Sequence, residues 1–144
     1  MRSASGSTSS QRQLGPSVLA VVAGMAAGIA LTLITDLVLH KLRVFPPLGE
    51  RAPDGLLVLA TEYRVVFGIV ASYLTAYLAP YRPIAHAVIG GAFGFVASLA
   101  GAIATWNGGP AYEPHWYPVA LVVLAFPQAW IGGWLRARKV GEGG

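Results

Sequence analysis

The chain has 144 residues, of which 55% are hydrophobic and 11% charged, whereas a soluble domain carries roughly 45–50% and about 25%. Ten Lys and Arg with six Asp and Glu would cover the surface of so small a soluble domain poorly, which argues against a soluble enzyme; the apolar content excludes a disordered chain. The composition places the chain in a lipid bilayer.

The net charge of +4 does not point to nucleic acid. Lys41, Arg43, Arg136, Arg138 and Lys139 border apolar runs, where basic side chains reach lipid headgroups, instead of forming an exposed basic face. No cysteine is present, which excludes disulfides, thiolate metal sites and cysteine nucleophiles.

Residues 1–14 are Ser-rich and polar and read as a disordered tail. A signal peptide would need an apolar region of only about 7–15 residues. Here no Asp, Glu, Lys or Arg falls between Arg12 and Asp36, so the segment reads as a retained span. The first span is expected over 16–42, with Pro16 at its start. The second covers 55–79 and is interrupted only by Glu62 and Arg64. The third, 83–106, and the fourth, 116–135, carry no charge. Each meets the requirement of about 20 mostly apolar residues for a crossing, and lipid demands helices because it cannot satisfy a bare backbone. The predicted fold is therefore an all-α membrane protein, a four-helix antiparallel bundle over 15–139, with 140–144 a flexible tail.

Pro46, Pro47, Gly49 and Pro53 break the first connection, Pro80-Tyr81-Arg82 forces a tight hairpin, and the third connection, 107–115, is Gly- and Pro-rich. Arg2, Arg12, Arg82, Arg136, Arg138 and Lys139 fall on one side of such a bundle, against Lys41, Arg43 and Arg51 on the other. The positive-inside rule then predicts both termini in the cytoplasm of a multi-pass cell-membrane protein, with a bacterial inner membrane the expected location. Trp106, Tyr112, Trp116 and Tyr117 mark the outer boundary, and Tyr77, Tyr81, Trp130 and Trp134 the inner one.

Small residues repeat every four positions: Ala20, Gly24 and Gly28; Gly68, Ser72 and Ala76; Gly90, Gly94, Ser98 and Ala102. Such stripes let helix backbones approach in lipid, within one bundle or between copies, and the third-span stripe is the longest. Pro127 frees the carbonyl of Val123 and predicts a kink, beside which Gln128 offers a polar contact.

The candidate site is a coincidence of depth. Asp36 and His40 are four residues apart and share a helix face. Asp36 lies roughly 10 Å inside the outer end of its span; Glu62 lies at a similar depth in the second, with Arg64 two positions on. Glu113 and His115 return to that side as a possible lid. Three readings compete: an ion-pair network of Asp36 with Arg64 and of Glu62 with a tyrosine or His40; a proton- or cation-coupled permeation site; and a metal site of His40, Asp36 and Glu62, with His115 as a further ligand. His86 stands alone near the inner side and reads as an interfacial, hydrogen-bonded histidine. No phosphate loop, nucleophile elbow or paired-His zinc motif occurs, which leans against an enzyme, and no cofactor is specified. The expected function is that of an accessory or structural subunit acting through helix contacts, by self-association or with a membrane-protein partner. The alternatives are a small coupled transporter working as a homo-oligomer and, more weakly, a metal-dependent membrane enzyme.

Overall fold

The computed structural model describes residues 6–112 and 114–142. Four helices follow one another: α1 (Gly6–Lys41), α2 (Asp54–Leu78), α3 (Pro83–Thr105) and α4 (Trp116–Glu142), with a single 3-10 turn, Pro110–Tyr112, before α4. All four are long and apolar enough to cross a bilayer.

The breaks occur where backbone chemistry requires them. Arg43 adopts φ 58°; its N–H bonds the carbonyl of His40 at 3.0 Å and that of Val44 bonds Leu39 at 2.9 Å. This is a Schellman closure with arginine where glycine is usual. α2 begins after Pro53, whose carbonyl accepts from Leu56 and Leu57, and Asp54 complements the positive end of the helix dipole. α2 stops at Leu78, two residues before Pro80. Arg82, also left-handed at φ 43°, turns the chain into Pro83, the first residue of α3.

Two boundaries differ from expectation. α1 starts at Gly6, so Pro16 lies inside the helix and not at its start; a helix nucleated by a long apolar run extends readily into flanking polar residues. Of the polar tail, residues 1–5 lie outside the described residues. α4 likewise continues past Leu135 to Glu142. Arg136, Arg138 and Lys139 are good helix formers, favoured at a C-terminus, and each lies over an aromatic ring: Tyr77 at 4.5 Å, Trp134 at 4.8 Å and Tyr73 at 5.7 Å respectively. Residues 143–144 are not described. α4 runs through Pro127 as a single helix.

α4 packs most extensively against α3 and α2, α1 packs mainly on α2 and only lightly on α3, and α1 and α4 scarcely touch. Gly24 faces Thr75 and Gly28 faces Ala71, so α1 and α2 are antiparallel; Gly91 meets Ala129 and Gly133 meets Ala87, so α3 and α4 are too. Gly68 against Gln128, and Gly132 against Ile69 and Ser72, make α2 and α4 parallel. The up-down order follows.

The buried apolar residues are almost all alanine, and among the described residues no large side chain is fully enclosed. They concentrate towards the end of the bundle that holds the α2–α3 hairpin: Ala20, Ala76, Ala87, Ala125 and Ala129, with buried Gly91, Gly132 and Gly133. Towards the other end, among the described residues, only Ala60 and Ala102 are comparably buried. The helices thus pack backbone to backbone at the hairpin end and stand apart at the end carrying the long loops. That looseness opens the site.

Candidate functional site

Asp36 lies on the last turns of α1, and Tyr63 and Arg64 lie on the third turn of α2, at the same level of the bundle. Arg64 Nη2 donates to Asp36 Oδ2 at 2.7 Å, and the Tyr63 hydroxyl donates to the other carboxylate oxygen, Oδ1. The guanidinium also lies 5.8 Å from the Tyr117 ring centroid, at the start of α4, and 6.0 Å from that of Tyr63. One carboxylate therefore ties α1 to α2, and the cation ties both to α4. The charges compensate each other, as partly buried charges generally do. The Nε of Arg64 is buried and has no hydrogen-bond partner.

His40 shares the Asp36 face but not its carboxylate. Its Nδ1 donates to the main-chain oxygen of Asp36 at 2.8 Å, and its ring stacks on Phe45 at 5.5 Å. Glu62 does not join the cluster. It is exposed, in a shallow groove with Val58, Val66 and Trp116; two positions along a helix amount to about 200°, so equal depth with Arg64 leaves the two on different faces. His115 accepts no role over Asp36: its Nε2 donates to the carbonyl of Trp106 at 2.8 Å and its ring stacks on that indole at 4.3 Å. Glu113 lies outside the described residues. The loop residues that cover the site are Phe45–Glu50 with Ala111 and Tyr112. His86 is buried at the hairpin end, bonded to the Arg82 carbonyl at 3.2 Å and edge-on to Tyr81. Among the described residues no group of three His, Asp or Glu could hold a metal ion.

Three clefts meet at Arg64. One of about 600 Å³ lies under the loops and contains Asp36, His40, Glu50, Tyr63 and Tyr112. A second, about 490 Å³, runs between α3 and α4 and is bordered by Ala111, Tyr112 and Pro114. A third, about 350 Å³, descends within the bundle from Arg64 towards Thr75 and is lined by Gly24, Gly28, Gly68, Ser72, Gly90, Gly94, Ser98 and Gln128. Many of the small residues thus border open space. A Cβ on Gly94 would meet nothing within 4 Å, and one on Gly90 only Thr75 Oγ1 at 3.9 Å. Close packing falls to Gly24, where an added Cβ would lie 2.7 Å from the Ala71 carbonyl oxygen, and to Gly91, Gly132 and Gly133, where it would lie 2.4–2.8 Å from a neighbour. Gly68 makes room for the Gln128 side chain, 2.4 Å from the position a Cβ would take.

Sequence reasoning missed Tyr63 and Tyr117. The adjacency of Tyr63 to Arg64 was a usable signal; Tyr117 reads as a boundary aromatic until α4 is placed beside α2. Comparison with protein-family models, curated proteins and solved structures finds no match to the chain.

Proposed function

We propose that the chain is a small multi-pass membrane protein that works as an accessory or structural subunit through helix contacts with itself or with another membrane protein. The observation that carries this reading is the fate of the intramembrane charges. Asp36 and Arg64 are spent on one another and on two tyrosines, in an arrangement that fastens three helices. The same reading places both termini in the cytoplasm, and the membrane is a bacterial inner membrane. Photo-crosslinking from lipid-facing positions such as Val96 and Ile103 in native membranes tests it. A discrete crosslinked species, either a dimer or one recurrent larger protein, is the expected result; monomer alone contradicts it.

A second reading, a proton- or cation-coupled transporter, is favoured by the three clefts that converge on Arg64 above a closely packed hairpin end. Proteoliposomes would then show a proton-linked flux that Asp36→Asn abolishes while the protein stays folded, and absence of flux in the parent protein removes this reading.

A further inference from the structure

The cleft within the bundle combines four features. Its floor is closed where Ala20, Ala76 and Ala87 are buried. Its wall opens sideways between α1 and α3, which pack on each other only lightly, past Ile29, Leu33 and Phe93, which line it while remaining 56%, 62% and 55% exposed. Its top adjoins the loop clefts at Arg64. Its lining is mainly apolar but carries Ser72, Thr75, Ser98 and Gln128.

The polar side chains hold the clue. Thr61 and Thr105 satisfy their hydroxyls on carbonyls four residues back, the usual solution for a helix in lipid. Among the described residues, none of Ser72, Thr75, Ser98 and Gln128 makes a side-chain hydrogen bond, although Ser72 and Thr75 are only 9% and 2% exposed. Gln128, seated over Gly68 one turn below Arg64, has an amide with donors and an acceptor turned to the cleft. The neighbouring Nε of Arg64 is also unpartnered. Unmet polar groups at bilayer depth cost several kcal/mol unless a guest supplies partners.

We propose that this cleft binds one chain of an uncharged amphiphile drawn from the bilayer, a monoacylglycerol or long-chain alcohol in chemical class. It enters between α1 and α3 with its oxygen-bearing head at Arg64 and Gln128. A volume of about 350 Å³ falls within the range of roughly 300–1,000 Å³ typical of ligand sites. The stretch from Arg64 to Thr75 is about 16 Å of helix, room for an extended acyl segment. The head is uncharged because Asp36 already neutralises Arg64, and Glu50 across the loop cleft repels an anion. A cation finds no carboxylate below Asp36 among the lining residues.

The purified protein in nanodiscs, incubated with a diazirine-bearing monoacylglycerol and irradiated, gives the test by mass spectrometry of labelled peptides. Adducts should concentrate on Ile29, Leu33 and Phe93. Gly94→Leu, whose side chain enters open space, should fill the cleft and remove at least about tenfold of the labelling, the effect of roughly 1.4 kcal/mol, with an unchanged melting temperature. Gln128→Leu should weaken labelling and keep its position. If Gly94→Leu fails to fold, Ser98→Leu serves in its place. Labelling spread evenly to lipid-facing Val58 and Val123, labelling indifferent to Gly94→Leu, or crosslinks from the cleft to a second copy would each overturn the proposal. The assay needs no partner protein, so its outcome is independent of the crosslinking result above.

Discussion

At the scale of single residues, the account turns on how Asp36 and Arg64 share one environment. Each is about one quarter to one third exposed, so the pair is neither a solvated surface bridge nor a sealed one. Removing one partner leaves the other without compensation in a low-dielectric setting, which costs more than removing both. Arg64→Met should therefore lower unfolding stability in detergent by about 1–3 kcal/mol, and Asp36→Asn by less, because asparagine still accepts from Tyr63. The double variant should recover part of the loss. Strictly additive losses would mean that the ion pair contributes nothing as a pair. Tyr63→Phe removes one hydrogen bond but keeps the ring over which Arg64 lies, and should cost about 1 kcal/mol.

This pair was legible in the sequence, since opposite charges at one depth on adjacent spans in lipid must find each other. Glu62 was equally visible and yet does not take part. Depth along a helix follows from counting residues, but which neighbour a face meets is decided by the packing of the other three helices. The same gap explains Tyr117: its ring reaches Arg64 only because α4 lies parallel to α2, and no local pattern announces that register.

At the scale of the helices, spacing alone did not separate glycines that pack from glycines that line space. The four-residue stripe of α3 reads as its contact face, but the neighbouring position, Gly91, makes the close approach. Two contrasting substitutions express the distinction. Gly132→Ala places a methyl 2.5 Å from the Ile69 carbonyl oxygen and 2.7 Å from the Tyr73 nitrogen, backbone atoms that cannot rotate aside. It should destabilise the α2–α4 contact by about 1–3 kcal/mol. Gly101→Ala meets nothing and should be neutral or stabilising by up to about 1 kcal/mol through helix propensity. Thermal unfolding in the same detergent compares them, and equal effects would contradict the packing described. The four spans themselves were legible because a bilayer enforces length and apolarity together. The ends of α1 and α4 were not, because polar residues that read as a tail can still continue a helix.

For the whole molecule, small residues draw the helices together at the hairpin end, and bulkier residues with long loops hold them apart at the other. That asymmetry makes the clefts and brings them together at Arg64, while the hairpin end stays closed. All of this presupposes four crossings, with the Asp36 level near the side that carries the two long loops. Because the chain has no cysteine, single cysteines report without background. In intact cells a membrane-impermeant maleimide should label Leu48→Cys and Asn107→Cys directly, and should reach Tyr81→Cys and Gly141→Cys only after permeabilisation. Labelling of positions 48 and 107 under different conditions, or of 81 together with 48 in intact cells, would contradict the account at its root.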